Sequence, residues 1–337
     1  MGAELVPVID LYDHDAPALI DAACRSVGFL SIVNHAVPSA VIDAMRSASE
    51  QFFGLSMEAK LALHPDGPEI NRGYAAKGSE GLSYSLGVDA SPPDLFEAFN
   101  IGPDALPEGD PAYEAERHRL FAANIWPEQP EALRPALVAY FAEMERLTDR
   151  LISLFALALD LDAEFFVERS RHPVQTMRVL NYERAPGEAE PSQGQQRMGA
   201  HTDYGIVTVL YADPVPGLQI VGPDDRWHDV VPTEGAFLVN LGDQLSQWTN
   251  DRWRSTLHRV VPPERSVTGR AQRRSVAFFH DGDYDALVEC LPTCTTADNP
   301  PRYPPVLAGD HLMAKLLGPR TLQASTAAST AGDRPIS

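Results

Sequence analysis

The sequence predicts a mainly β protein with a helical annex, an α+β chain whose core is a sandwich or barrel of the jelly-roll kind. Two observations lead there. The first half of the chain reads mainly helical and the second half mainly as short strands, a segregation that alternating βαβ units do not produce. From Gln175 onward the runs QTMRVLNYE, GIVTVLYAD, GLQIV, RWHDVV, GAFLVNLGD, STLHRVV and RRSVAFFHD follow one another between Gly, Pro and Asp. Many short strands so spaced suit a jelly roll.

In DAPALIDAACRSVG, Asp15 is a candidate N-cap, Pro17 sits in the first turn, and Gly28 can close the helix. An extended run, FLSIVNH, follows at once. Ser39 is expected to cap a second helix through Phe53. Residues from about Pro130 to Leu161 read as a long amphipathic helix with Leu137, Phe141, Met144, Leu147, Leu151, Leu154 and Phe155 on one side. The segment between these helices, rich in Gly, Ser and Pro, has no sustained periodicity. It reads either as a passive surface connection or as a lid over a substrate. The expected organisation is a helical and mixed region over 1–165 that includes a lid-like loop at 70–102, a β core over 166–320, and a low-complexity tail over 321–337.

Length and composition bound the function. The chain has 337 residues, of which 44% are hydrophobic and 22% charged, ordinary values for a soluble globular protein. A net charge of -20, from 47 acids against 27 Lys plus Arg, argues against nucleic acid and against an anionic membrane surface as partners. No stretch approaches a spanning helix. The N-terminus lacks the plan of a secretory signal, and the three cysteines (Cys24, Cys290, Cys294) do not form a disulfide framework. A cytoplasmic protein is expected.

The chemistry centres on histidines and a carboxylate. His201 and Asp203 stand in GAHTDYGIVTVLY, where a strand-like run begins, and residues i and i+2 of a strand share a face. His258, within STLHRVV and flanked by β-branched residues, is the best third ligand. Two His and one carboxylate on one face of an octahedron leave the opposite face open, the arrangement of non-haem Fe(II) oxygenases. His228 and His280 are rival ligands placed behind His258, and His35 reads as structural.

The segments PVIDL, GFLSIVNHAVP, the RGY segment, PPDLFEAFNIG, HTDYG, PGLQI, LGDQLSQWTNDRWRSTLHRV, RRSVAFFHDGDYDALVECLP and NPPRYPPV occur in order along nearly the whole chain. In them the chain resembles the isopenicillin N synthase-like branch of the 2-oxoglutarate and Fe(II)-dependent dioxygenases. The resemblance implies a double-stranded β-helix core closed on one side by a helical N-terminal region. It implies Fe(II) held by His201, Asp203 and His258, 2-oxoglutarate as cosubstrate, and O2 as oxidant. Arg273 and Ser275 match the family's Arg-x-Ser pair, and the spacing agrees, since a guanidinium fork and a hydroxyl on one strand face suit a carboxylate. Asn181 matches a family position near the cosubstrate. Glu183 stands where plant-type relatives often have Tyr, which leaves open how the near end of the cosubstrate is held. Tyr182 reads as core. Arg72, Tyr74, Tyr84 and Phe96 in the lid-like segment, and Tyr204 beside Asp203, are candidate substrate contacts.

The resemblance implies oxidation, most simply hydroxylation, of a small molecule such as an amino acid derivative or a secondary metabolite, with release of succinate and CO2. Three alternatives stay open at this point: a branch member that uses Fe(II) and O2 without 2-oxoglutarate, a zinc hydrolase, and a non-enzymatic β-helix binding protein.

Overall fold

In a computed structural model of the chain, residues 5–67, 69–86, 92–183, 191–192, 194–262 and 273–316 are described. The expected tail over 321–337 lies outside them. The elements run β1 (Val8–Asp10), α1 (Ala16–Ser26), β2 (Phe29–Val33), α2 (Ser39–Phe53), α3 (Met57–Leu61), β3 (Gly73–Ala75), β4 (Glu97–Ile101), α4 (Pro111–Ala115) and α5 (Leu133–Ala158). The second half adds β5 (Pro173–Asn181), β6 (Met198–His201), β7 (Val207–Ala212), β8 (Leu218–Val221), β9 (Trp227–Asp229), β10 (Phe237–Leu241), α6 (Asp243–Trp248), β11 (His258–Val260), β12 (Arg274–Asp283), β13 (Leu287–Val288) and β14 (Val306–Leu307). An eight-stranded sheet, ordered β1-β2-β10-β7-β12-β5-β4-β3, faces a four-stranded sheet, β6-β11-β8-β9. Together they form the jelly roll.

The first half is less helical than the sequence suggested. It supplies four strands of the large sheet, with β2 antiparallel to β10 and β4 antiparallel to β5. The segment read as a loop over 70–102 thus holds two buried strands, β3 and β4, while its residues 87–91 lie outside the described residues. Short strands of three to five residues carry little periodicity, and their pairing to distant partners fixes them.

Two helix starts differ from expectation in detail. Asp15 occupies the N-cap position of α1, but its side chain makes no cap hydrogen bond and instead meets His14 Nδ1 at 3.0 Å. Pro38, not Ser39, is the N-cap of α2. Gly28 closes α1 as predicted: it adopts φ +64°, and its N–H donates to the Ala23 carbonyl at 3.0 Å.

Helix α5 lies behind the large sheet. It buries Leu137, Tyr140, Phe141, Met144, Leu147, Leu151 and Phe155, one stripe at helical spacing. Phe141 meets Phe278 of β12 edge-on at 5.0 Å, and Phe155 meets Trp253 at 5.6 Å. Strands β5 and β12 sit at the centre of that sheet. Met177, Val179, Val276 and Phe278 join the core shared with the helices, so the residues between them face the space between the two sheets.

Gly28 has a second duty, because a Cβ there would press into the Arg254 carbonyl oxygen and the Thr256 hydroxyl. Gly28→Ala is expected to cost about 2 kcal/mol or more in urea denaturation, through the left-handed backbone and this clash together.

Candidate metal centre and cosubstrate cavity

The strand pairing that builds the centre puts His258 of β11 directly opposite His201 of β6, with ring centroids 4.3 Å apart. Asp203 is not in the strand, as the i, i+2 reading supposed. It lies in the turn after β6, yet its Oδ1 reaches 3.8 Å from His201 Nε2 and 3.7 Å from His258 Nε2. One ligand atom from each residue lies within 4.8 Å of the others, and all three residues are buried.

The donor set fits a divalent metal because the surrounding bonds fix which atoms are free. His201 Nδ1 sits 2.7 Å from the Gly199 carbonyl and His258 Nδ1 sits 2.9 Å from the Thr256 carbonyl. A carbonyl only accepts, so each Nδ1 carries the proton and each Nε2 keeps its lone pair toward the centre. Asp203 Oδ2 accepts from Thr208 Oγ1 and Asn240 Nδ2, both at 2.5 Å, which leaves Oδ1 to the metal. Burial opposes ionisation of Asp203, but His258, His201, Thr208 and Asn240 hold its carboxyl below the ordinary carboxylate value. Burial and His258 lower His201 to about 4, so its ring is neutral and ready to ligate.

Thr208, Asn240 and Asp94 were not singled out from the sequence. Asn240 left a signal, a lone amide in the apolar strand FLVNL. Asp94 left none. Its carboxylate accepts from Gly199 N–H at 2.9 Å and from Leu82 N–H at 2.9 Å, steadying the residue whose carbonyl orients His201.

Among the described residues the rival histidines are otherwise engaged. His228 bonds Asp224 at 2.7 Å, and His280 is buried between Gln175 at 3.2 Å and Ser170 at 3.0 Å. His35 bonds the Gly235 carbonyl at 3.2 Å and stacks edge-on with Phe237 at 4.5 Å, a structural role.

The three ligands line one cavity with Arg273 and Ser275. Arg273 is 1% exposed, its Nη1 is 3.3 Å from Ser275 Oγ, and its Nε has no hydrogen-bond partner among the described residues. Its guanidinium carbon stands 5.0 Å from the centre of the Tyr182 ring. Tyr182, read as core, therefore does more, since its face steadies the cation while its ring walls the cavity. Arg274 turns the other way, toward Glu50 at 3.7 Å.

Asn181 is a correction. Strand alternation sends Leu180 and Tyr182 into the cavity and Asn181 to the opposite face, where its Nδ2 donates to Glu97 Oε1 at 2.8 Å. Tyr74 is corrected likewise: it is fully buried, with its hydroxyl 2.6 Å from Glu97 Oε2. Lys60 completes this cluster at 2.7 Å from the same oxygen. Phe96 does not line the cavity; it packs against Tyr182 and under Arg178. Arg72 does line it, but its guanidinium is held by the carbonyls of Ala122, Asn71 and Leu120. Burial lowers Arg72 to about 10. Tyr204 lines the cavity as expected, whereas the Tyr84 side chain lies outside the described residues. Glu183 is exposed and does not replace the tyrosine of plant-type relatives within the cavity.

Residues 174–282 match the 2OG-Fe(II) oxygenase superfamily, and residues 6–129 match the non-haem dioxygenase in morphine synthesis N-terminal family. The chain is 34% identical over 292 residues to the 2-oxoglutarate-Fe(II) type oxidoreductase hxnY of Emericella nidulans, covering 86% of this chain and 80% of that protein. The chain belongs to the 2OG-Fe(II) oxygenase superfamily. This oxygenase is also 33% identical to validamycin A dioxygenase of Streptomyces hygroscopicus subsp. limoneus, over 92% of this chain and 85% of that one. Its fold matches the crystal structure of a full-length Neurospora crassa protein in complex with alpha-KG, with a TM-score of 0.79, 27% identity and coverage of 94% and 98% of the two chains. It also matches JOX2 in complex with 2OG, Fe and JA, with a TM-score of 0.75, 27% identity and coverage of 95% and 88%. The protein is a non-haem Fe(II) and 2-oxoglutarate-dependent dioxygenase, as the sequence motifs implied.

The buried groups make two outcomes measurable. Glu97→Gln leaves the Lys60 ammonium without its carboxylate and is expected to cost about 3 kcal/mol in chemical denaturation. Burial lowers His280 to about 4, as it helps to do for His201, against an ordinary value of 6.5. The folded protein keeps both rings neutral while the unfolded chain takes up protons, so the stability they confer is present above 6.5 and is lost as pH falls toward 4. The melting temperature of chelator-treated protein should drop over that interval.

Proposed function

We propose that this oxygenase hydroxylates a small molecule at an iron held by His201, Asp203 and His258, with the far carboxylate of 2-oxoglutarate held by Arg273 and Ser275. The observation that carries this reading is one cavity walled by both sets, with the anchor pair two residues apart where β12 begins. When bound, iron and 2-oxoglutarate supply the oxygen chemistry that converts a C–H bond to C–OH, with succinate and CO2 leaving.

The residues supply position and dryness. The two Nδ1 bonds hold the imidazoles in the ligating tautomer, and Thr208 with Asn240 turns one Asp203 oxygen inward. The Arg273 fork is free to take a carboxylate bidentately, with the Ser275 hydroxyl as a third donor. Leu180, Leu210, Leu218, Met198 and Val260 wall the space nearby and keep water from it. Solved relatives hold thymine and 5-formyluracil, and a substrate of comparable size suits this cavity. No helix among the described residues is long and apolar enough to cross a membrane, and we place the enzyme in the cytoplasm. We assign 1–165 to an N-terminal region, which also gives β1 to β4 to the large sheet, and 166–320 to the catalytic core.

Arg273→Ala removes two charge-assisted hydrogen bonds and is expected to raise KM for 2-oxoglutarate by roughly 10- to 100-fold. His201→Ala is expected to abolish iron binding in calorimetry and turnover-linked succinate formation, with the circular dichroism spectrum retained. Oxygen consumption that proceeds without 2-oxoglutarate, or an unchanged KM in Arg273→Ala, would refute the assignment.

A further inference from the structure

Asp281 is a buried carboxylate that the chemistry above does not use. It lines the same cavity as the metal ligands and is only 9% exposed. No described residue gives it a hydrogen bond or an ion pair, although buried carboxylates are ordinarily paired. The fold makes room for it. Gly205, two residues beyond Asp203, lies under the Asp281 carboxylate, and a Cβ at that position would collide with it.

Its place separates it from the cosubstrate anchor. Arg273 immediately precedes β12 and Ser275 lies at its start, while Asp281 lies near its far end, six residues beyond Ser275, or roughly 20 Å of strand. A five-carbon diacid held at Arg273 does not span that distance. Apolar side chains stand nearby: Phe279 precedes Asp281 by two on the same strand, Val174 lies on the neighbouring β5, and Leu120, Leu312 and Leu316 cluster with Val174, all lining the cavity.

Apart from Arg273, which the cosubstrate claims, the arginines of the cavity are already matched. Arg178 pairs with Glu80 at 2.7 Å, Arg119 pairs with Glu116, and Arg72 is held by backbone carbonyls. Among the described residues Asp281 is the buried carboxylate of the cavity left over. A cation alongside would offset the cost of burying that charge.

We infer that Asp281 is a specificity-determining residue that receives a protonated amine carried on an apolar body, so that the substrate class of this oxygenase is a small hydrophobic amine. This rests on the oxygenase reading of the cavity. It also accounts for an otherwise costly group, since a site for a cation holds its carboxylate unpaired until the ligand arrives.

The test uses the whole enzyme loaded anaerobically with Fe(II) and 2-oxoglutarate and titrated calorimetrically with 2-phenylethylamine or its neutral counterpart 2-phenylethanol. The amine is expected to bind about tenfold or more tightly than the alcohol, and Asp281→Asn is expected to erase that preference while 2-oxoglutarate affinity is kept. Because the variant removes an unpaired buried charge, its melting temperature should equal or exceed that of the wild type. Equal binding of amine and alcohol to the wild type, a preference that survives in Asp281→Asn, or a lower melting temperature of the variant overturns the inference. Failure of 2-oxoglutarate to bind either protein overturns it together with the oxygenase reading, a result distinct from loss of the amine preference alone.

Discussion

Strands β5 and β12 give their alternate residues to two different jobs, and the rest of the structure depends on that division. Met177, Val179, Val276 and Phe278 pack against the helices, while Arg178, Leu180, Arg273, Ser275, Ala277 and Asp281 face the cavity. The strands pair antiparallel from Arg274 opposite Asn181 to His280 opposite Gln175, so a slip of one residue would put the anchor among the helices and the core among substrates. Helix α5 guards against that slip, because Phe141 sits on Phe278 and accepts an aromatic ring there. Packing on the outside of the sheet thus sets the chemistry on the inside.

The metal centre is organised by partners as much as by ligands. Three side chains come from two elements and the turn after one of them, and none would present the right atom without a bond behind it. The carbonyls of Gly199 and Thr256 select the tautomers, and Thr208 and Asn240 select the carboxylate oxygen. These bonds tie β6 to β7 and β10, and pairing ties β6 to β11, so the centre is held by both sheets at once. A rigid scaffold of this kind suits a site that must keep its geometry while cosubstrate and substrate come and go.

The sequence carried much of this. A strand with β-branched neighbours around His258 and the Arg-x-Ser spacing were visible because local patterning places side chains on faces, whereas Asp203 of the HTD run reaches the centre from beyond the end of β6. What stayed hidden depends on distance in the chain. Glu97 gathers Lys60, Tyr74 and Asn181 from three other segments, and nothing in the sequence near Asn181 says which of Asn181 and Tyr182 faces inward. Short strands such as β1 and β3 have no periodicity of their own and exist because a neighbouring edge needs them. Asp94 acts through a backbone N–H two residues before His201, a contact no motif encodes.

Two buried carboxylates show how the protein treats charge differently at different depths. Glu97 is surrounded by an ammonium, a phenol and an amide, and its charge locks β3, β4 and β5 to α3. Asp281 has no such company among the described residues, and a carboxylate without partners destabilises the fold that contains it. The contrast runs along one sheet, with the satisfied group on the face that never meets solvent or ligand and the unsatisfied group on the face that does. Arg273 Nε, unpartnered, and the Asp281 carboxylate mark on the cavity side where the fold is completed by what it binds. One is a cation at the head of β12 and the other an anion near its end, so a single strand offers opposite charges to two different molecules.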